Sequence, residues 1–281
     1  MEKDAALPPL DIPALLRKYG LRPDKGLGQN FLMDDASLRK IVEAAAISAE
    51  DSILEIGPGL GSLTRYLATA ARRVMAVELD AVLIPPLKAV LAHFDNVRIV
   101  QGDILQLNPA ELFGGVGYSV VANIPYYITS ALVRHLLEAE VRPKRMVLTV
   151  QKEVALRITA APGEMSLLAL SVQVYGNPSI AAYIPAGSFY PPPKVDSAVV
   201  RVDLYPSPLI PASQISLFFQ LAKAGFSQKR KMLRNALSAG MGLTPARIES
   251  MLQSAGIDPK RRAETVSIEE WGRMLMPLAT C

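Results

Sequence analysis

Short apolar runs alternate with amphipathic segments through the first 160 residues of the chain. The runs that predict strands are 52–57, 73–79, 97–101, 118–123 and 145–151. The segments with a helical period lie at 34–46, 62–71, 81–94, 129–140 and 152–160. Apolar strands that alternate with helices are typical of a mostly parallel sheet covered on both faces, which is an α/β fold. Later runs at 179–184 and 197–205 predict antiparallel closing strands, and 166–175 fits a helix or a strand.

The pattern changes after residue 205. The segment 205–213, "YPSPLIPAS", has three prolines in nine residues and predicts a linker. Beyond it only helical periodicity remains, in segments at 214–226, 230–240, 245–256 and 268–278. We therefore predict a sheet domain over 1–206, with 1–24 as an N-terminal extension, and a small all-α domain over 207–281.

Composition indicates a globular protein, because 50% of the residues are hydrophobic and 20% are charged. The N-terminus has an early acid and no long apolar core, so we expect no secretory signal. The uncharged stretch 165–193 is interrupted by glycine and proline, which argues against a membrane helix. Cys281 is the single cysteine and the two histidines lie far apart, so no metal site is expected. We expect a cytoplasmic monomer.

The basic residues are concentrated at one end of the chain. Residues 207–281 hold 10 Lys/Arg and 5 Asp/Glu, whereas the other 206 residues hold 20 and 21. This excess favours a polyanionic partner such as RNA, although a solvated basic face gives the same count. One cluster contributes Lys229, Arg230, Lys231 and Arg234. We expect these residues on a helix, with Arg230 and Arg234 on one face and Met232, Leu233 and Leu237 towards the core. "PKRRAE" at 259–264 is a second cluster.

Polar residues and glycines follow the predicted strands where each strand ends. The first strand leads into "EIGPGLGS", with Glu55 and Gly57, and the second ends at Glu78. The third leads to Asp103 and the fourth ends at Asn123. Ligands of open α/β sheets bind outside the carboxyl ends of the strands, so these residues predict one ligand site.

The glycine spacing argues against a nicotinamide dinucleotide as the ligand of this site. A nicotinamide-binding glycine motif needs a third glycine where this chain has Ser62. The pattern E-x-G-x-G, with an acid after each of the next two strands, resembles the class I S-adenosylmethionine-dependent methyltransferases. In that arrangement Glu78 accepts hydrogen bonds from the ribose hydroxyls and Asp103 meets the adenine amine. Turn glycines and helix-capping acids are the plainer interpretation of each residue taken singly.

The stretch "NIPYY" at 123–127 suits an exocyclic adenine amine, which is a poor nucleophile because its lone pair is delocalised into the ring. The Asn123 side-chain oxygen and the Ile124 carbonyl can accept the amine hydrogens and so direct that lone pair. Pro125 fixes the backbone, and Tyr126 can stack on the base. The base has to be unstacked or flipped to enter such a pocket. Tyr127 has no role that the pattern explains.

Taken in order, "KGLGQNFLMD", "EIGPGLGSLT", "VELD", "QGD", "NIPYYITS", "FYPPPKVDSAVVRV" and "GFSQKRKMLRNAL" resemble the ribosomal RNA adenine dimethyltransferase family. The likeness covers about residues 20–275 and is closest to the type that acts on small-subunit RNA. It implies dimethylation at N6 of two adjacent adenosines near the 3′ end of 16S rRNA in the immature small ribosomal subunit. It also implies that Asn30 and Leu32 join Gly57, Glu78, Asp103 and Asn123 in cofactor binding. By the same resemblance Phe189 is able to stack on the target base, and a rigid loop between two edge strands is the plainer interpretation of this segment. Lys194 could meet phosphate or be merely exposed.

Two other functions share this fold. A related enzyme class methylates large-subunit RNA and confers antibiotic resistance, and substrate choice depends largely on the small domain. A ribosome-assembly factor could keep the fold without turnover. Glu78, Asp103, Asn123 and Tyr126 are all present, which favours an enzyme, with a role in small-subunit biogenesis still open. Gly26 and Leu27, before "GQNFL", depart from the basic–aromatic pair that is usual in the family.

Overall fold

A computed structural model describes residues 7–115, 117–125 and 128–275 of the chain. These residues form two compact units. The sheet unit contains the described residues up to Ala155 together with Ser179–Leu204, and the helical unit contains Leu156–Pro178 together with the described residues from Tyr205 onward. The stretch 156–178 thus groups with the helical unit, although it precedes the predicted linker.

Backbone hydrogen bonds explain this grouping. The N–H groups of Gly163 and Met165 both donate to the carbonyl oxygen of Glu264, at 2.9 and 3.1 Å. The N–H of Leu209 donates to the carbonyl of Val174 at 2.9 Å. A buried backbone group needs a partner, so these bonds fix 156–178 within the helical unit.

The described residues of the sheet unit form a seven-stranded sheet, as the apolar runs predicted. Its strands are β2 (Ser52–Ile56), β3 (Arg73–Glu78), β4 (Val97–Gln101), β5 (Ser119–Asn123), β6 (Arg145–Gln151), β7 (Gly176–Ile184) and β9 (Ser197–Leu204). Their order across the sheet is β4-β3-β2-β5-β6-β9-β7. The first five of these run parallel to one another, and β9 is antiparallel to β6. The α/β prediction is confirmed.

Helices flank the strands in the predicted alternation. Those that precede residue 205 are α1 (Ile12–Lys18), α2 (Asp35–Ala45), α3 (Ser62–Ala70), α4 (Ile84–Val90), α5 (Pro109–Phe113), α6 (Thr129–Glu138), α7 (Lys152–Ile158) and α8 (Leu167–Gln173). Of these, α8 lies in the helical unit. The Asp34 carboxylate caps α2 by accepting from the Ser37 N–H at 2.9 Å. The ambiguous segment 166–175 is a helix, which Ser166 caps in the same way.

The segment predicted as one helix over 81–94 is shorter and divided. Residues Ala81–Leu83 form a 3-10 turn, and α4 then spans only Ile84–Val90. Pro85 and Pro86 lack N–H donors, and a proline is tolerated only in the first turn of a helix. The α-helix therefore begins just before the prolines, three residues later than predicted.

A second, two-stranded sheet joins distant parts of the sequence. Strand β1 (Phe31–Leu32) pairs antiparallel with β8 (Phe189–Tyr190), so that Phe31 lies opposite Tyr190 and Leu32 opposite Phe189. Neither two-residue strand was predicted. The pairing places the "QNFL" motif directly against the "FYPPPK" motif.

The N-terminal extension packs beside the glycine loop. Ile12 and Leu16 of α1 form an apolar cluster with Phe31, Leu60 and Leu83. Each of these side chains is at most 8% exposed. Full burial of one such side chain stabilises the fold by about 1.5–3 kcal/mol, so α1 is anchored by its packing. The sequence pattern had not predicted this helix.

The helical unit contains α9 (Ile215–Phe226), α10 (Leu233–Met241), α11 (Pro245–Ser254) and α12 (Ile268–Arg273). Close helix contacts hold it together. A Cβ added to Gly240 of α10 would lie 2.5 Å from the Cβ of Ala224 in α9, and one added to Gly225 would lie 2.5 Å from the Trp271 ring. Trp271 is fully buried. Glycines at these points let the helix backbones approach closely.

One prediction for this unit is wrong. Arg230 does not share a helix face with Arg234, because α9 ends at Phe226 and residues 227–231 form turns before α10. The N–H groups of Leu233 and Arg234 donate to the carbonyls of Arg261 and Pro259, which fixes the start of α10 at Leu233. Leu233 and Leu237 are buried as expected, but Met232 is 44% exposed. The N–H bonds also bring the 259–264 cluster beside the first basic cluster.

None of the helices in the described ranges is long and apolar enough to span a bilayer. Over the same ranges, no group of three or more His, Cys, Asp or Glu side chains is placed to hold a metal ion.

Candidate cofactor and target-base site

A cavity of about 280 Å³ opens at the carboxyl ends of β2, β3 and β5. Nine of the residues predicted for the cofactor and the target base line it: Asn30, Leu32, Gly57, Glu78, Asp103, Asn123, Ile124, Pro125 and Phe189. Tyr126 and Tyr127 lie outside the described residues. The parallel register of the strands explains the convergence, since their ends meet at one edge of the sheet.

Gly59 and Glu78 fix the first corner of the cavity. The Gly59 N–H donates to Oε2 of Glu78 at 2.9 Å, and the Asp80 N–H donates to Oε1 at 2.9 Å. Each carboxylate oxygen keeps lone-pair capacity for a further donor such as a ribose hydroxyl. Gly59 has a φ of +59°, and a Cβ there would lie 3.0 Å from the Phe31 ring. Burial raises the pKa of Glu78, and the Asp80 and Gly59 N–H groups oppose that rise.

Asp103 forms the second corner. Its Oδ1 accepts from the Leu105 N–H at 3.0 Å, which holds the side chain at the start of the turn after β4. Gln29, another residue of the cavity lining, donates from its Nε2 to Oδ2 of Asp80 at 2.7 Å. The Asp103 carboxylate, held by the Leu105 N–H, can accept a hydrogen bond from an adenine amine through its remaining lone pairs.

Asn123 ends β5 at the floor of the site. Its Nδ2 donates to the carbonyl oxygen of Asn30 at 3.2 Å, which leaves Oδ1 as an acceptor. The Nδ2 of Asn30 in turn donates to the Gly28 carbonyl at 3.0 Å. The "QNFL" segment therefore holds the asparagine amide in one orientation. Ile124 beside it is only 2% exposed, which fixes the backbone that bears its carbonyl.

Glu55 is a buried residue of the cavity lining that the sequence marks only as part of a glycine motif. It lines the cavity and is 1% exposed. Burial raises the pKa of its carboxyl to about 8; the Thr64 hydroxyl opposes this rise, and the charge of Glu78 adds to it. Within the described part of the chain, its Oε2 is buried and has no hydrogen-bond partner. Such an atom favours a ligand that carries hydrogen-bond donors.

Phe189 lines the cavity but belongs mainly to the core. It is 2% exposed and clusters with Leu32 and Ile184. Lys194 is exposed in the loop before β9. The cavity lining includes neither Lys194 nor the basic cluster of the helical unit, Lys229, Arg230, Lys231 and Arg234.

The basic cluster divides into two kinds of side chain. Lys229, Arg230 and Lys231 are exposed in the turns after α9. Arg234 forms an ion pair with Glu249 of α11, with Nη1 and Oε2 2.9 Å apart. Three of the four charges therefore face solvent, while the fourth also has a structural partner.

Comparison with known proteins agrees with this geometry. The family model described as "Ribosomal RNA adenine dimethylase" matches residues 21–279. The chain belongs to this family. Its relatives include proteins named "Ribosomal RNA small subunit methyltransferase A" from Dehalococcoides mccartyi, 47% identical over 96% of both chains, and from Alkaliphilus metalliredigens, 40% identical over 98% of this chain and 99% of the relative.

Solved structures show the same fold. The 23S rRNA methyltransferase ErmE is 29% identical, with a TM-score of 0.73 over 89% of this chain and all of that one. A dimethyladenosine transferase from Plasmodium falciparum has a TM-score of 0.77 over 89% of this chain and 98% of that one, at 24% identity. The fold of this dimethylase-family chain is thus the class I methyltransferase fold with a helical C-terminal part, as expected.

The cavity fits S-adenosylmethionine, the methyl donor of the family. Glu78 and Asp103 offer carboxylates at two strand ends, and the glycine loop leaves space that a Cβ at Gly59 would fill. The unpartnered Oε2 of Glu55 suits the donor-bearing methionine part of the ligand. Gln29 and Phe31 also line the cavity, and neither had been selected from the sequence.

Proposed function

We propose that this enzyme transfers methyl groups from S-adenosylmethionine to the N6 amines of two adjacent adenosines near the 3′ end of small-subunit (16S) rRNA. The observation that carries the proposal is the Asn123 amide, whose Nδ2 is held at the end of β5 by the Asn30 carbonyl so that its Oδ1 can serve as an acceptor. The relatives named for small-subunit rRNA support the choice of substrate.

S-adenosylmethionine, when bound, supplies a methyl group already activated by the sulfonium. The protein's task is therefore to hold donor and acceptor in line. Glu78 would accept the ribose hydroxyls, Asp103 would accept the adenine amine, and Asn30, Leu32 and Gly57 would enclose the remainder. No metal ion is needed to stabilise the leaving group, because the sulfonium would depart as a neutral thioether, and the amine would release one proton for each methyl group that it gains.

The target adenine would rest at Asn123. Its amine hydrogens would be accepted by the Asn123 Oδ1 and the Ile124 carbonyl, which favours a more tetrahedral nitrogen and directs its lone pair. Pro125 would fix that carbonyl, Tyr126 would stack on the base, and Phe189 would form the wall behind it. Stacking of one base on an aromatic ring stabilises binding by about 1–3 kcal/mol.

RNA would be held through phosphate contacts by the basic cluster of the helical unit, and Lys194 would add a contact near the site. Lys229, Arg230 and Lys231 support this role because they are exposed. Structured RNA is recognised largely by shape, which suits a folded, immature small subunit as the substrate. We place the enzyme in the cytoplasm with the ribosome and expect it to act as a monomer.

The test replaces Asn123 in the full-length protein. With tritiated S-adenosylmethionine and undermethylated small subunits, Asn123→Ala should lower the rate of methyl transfer by at least about 100-fold, because one preorganised acceptor is lost. Asn123→Asp keeps an oxygen acceptor but loses the donor to Asn30, so we expect an intermediate rate. Subunit affinity should stay within about twofold in both variants. Full activity in Asn123→Ala would refute the proposed pocket.

The substrate is tested with the unaltered protein. It should methylate small subunits at adjacent adenosines, located by mapping the modified bases, and leave large subunits unmodified. Methylation of large subunits alone would instead identify the resistance type of activity. Binding to small subunits without any methyl transfer would identify an assembly factor that has lost its chemistry.

A further inference from the structure

An exposed aromatic ring lies on β7, which is the edge strand opposite β4 in the sheet. The ring is not part of the cavity lining. Tyr183, the penultimate residue of β7, is 51% exposed. The Nζ of Lys152, the first residue of α7, lies 5.4 Å from the centroid of this ring. The neighbouring Ala182 and Ile184 pack against the core, and Ile184 is fully buried. Tyr183 therefore lies on the other face of its strand.

Tyr183 and Lys152 lie on the side of the sheet formed by the carboxyl ends of its parallel strands, where the cavity also opens. Gln151, the last residue of β6, pairs with Ser197, the first residue of β9. The loop 185–196, which follows β7, therefore returns to the carboxyl end of β6. The Lys152 N–H donates to the Asp196 carbonyl at 3.0 Å, which joins α7 to this loop.

The distance to the target site can be estimated from the sheet order. Three strand spacings separate β5, which ends at Asn123, from β7. At about 4.8 Å per spacing, Tyr183 stands roughly 14 Å from the strand that bears Asn123. The connecting loop carries the exposed Lys194 and the partly exposed Tyr190. Nucleotides next to a target base in Asn123's pocket would therefore pass this edge.

An exposed tyrosine beside a lysine is suited to an unpaired nucleotide. The ring offers a stacking surface to any base, because every base has a π-face, and the ammonium group neutralises a phosphate. The ring does not serve the apolar core, since half of its surface stays in water.

We propose that Tyr183 and Lys152 form a platform for an unpaired RNA nucleotide that flanks the target adenosine. Tyr183 stacks on the base, and Lys152 contacts the adjoining phosphate. The platform rests on the proposed function, because it takes its ligand from the same RNA strand.

The test compares matched variants of the full-length protein by equilibrium binding to undermethylated small subunits. Tyr183→Ala should weaken binding by about 5- to 150-fold, the range that corresponds to one stacked base. Tyr183→Phe keeps the ring and should bind within about twofold of the unaltered protein. Lys152→Gln should reduce the slope of log affinity against log salt by about one. Tyr19→Ala is the control, because Lys18 lies 5.7 Å from the Tyr19 ring in a pair that is outside the sheet.

Three results would overturn the platform: unchanged binding by Tyr183→Ala, equal losses in Tyr183→Ala and Tyr183→Phe, or an equal loss in Tyr19→Ala. Methyl transfer by the unaltered protein is measured on the same subunits. Normal transfer with unchanged binding by Tyr183→Ala contradicts the platform alone. No transfer by the unaltered protein contradicts the proposed function.

Discussion

Glu55 should make the stability of the cofactor-free protein depend on pH. Its buried carboxyl has a pKa of about 8, against an ordinary value of 4.5. Between these two pH values the folded state holds a proton that the unfolded state has released. Folding stability therefore falls as pH rises, by up to about 1.4 kcal/mol per pH unit and on the order of 5 kcal/mol across the window.

Glu55→Gln removes this titration while keeping the shape of the side chain. Near pH 5 the variant should resemble the unaltered protein, because Glu55 is then protonated and neutral. Near pH 8 and above it should be the more stable by several kcal/mol, because the unaltered protein must then either keep Glu55 protonated or bury it as a charge. The gain should appear gradually between about pH 5 and pH 8.

Urea unfolding at pH 5, 6, 7, 8 and 9, without cofactor, measures the free energy of both proteins. Their difference reports the titration of Glu55 together with its coupling to Glu78, since the other titrating groups are shared. Glu50→Gln, at an exposed glutamate, is the matched control and should show a difference close to zero throughout. A Glu55→Gln difference that does not change with pH, or that falls as pH rises, would refute the assignment of a buried, protonated carboxyl.

Three further outcomes are expected. Gly59→Ala should cost roughly 1–2 kcal/mol of stability, because its φ is +59°, and should weaken binding of S-adenosylmethionine in calorimetry. Arg230→Gln should reduce the salt slope of subunit binding by about one, and Arg234→Gln by less, because Arg234 already has an ion-pair partner. Gly240→Val should destabilise the helical unit by about 1–3 kcal/mol in urea unfolding, since a Cβ there meets Ala224 at 2.5 Å; unchanged unfolding would contradict that contact.

The strand ends were predictable, and with them most of the site. Glu78 and Asn123 follow apolar runs, and parallel strands bring such ends to one edge without knowledge of any contact. Strand β1 was not predictable, because a two-residue strand is too short to show a period. Arg230 was misplaced because the turn before α10 is set by carbonyls from 259–261, which are distant in sequence.

The burial of Glu55 was also beyond the sequence. The sequence of a glycine motif is the same whether its glutamate is exposed or buried. The burial of Glu55 follows from the packing of the sheet. The dependence of stability on pH is therefore a property of the fold and not of the motif.

The pairing of β1 with β8 has a thermodynamic consequence. Leu32 and Phe189 lie opposite each other, and both line the cavity. In the proposed function, the cofactor and the target adenine would therefore share this wall. A ligand that orders this wall leaves the protein with less conformational entropy to lose when the second ligand binds. Cofactor and RNA should therefore each raise the affinity of the other by the same factor. By the same reciprocity, release of the demethylated cofactor after methyl transfer should lower the affinity of the enzyme for RNA.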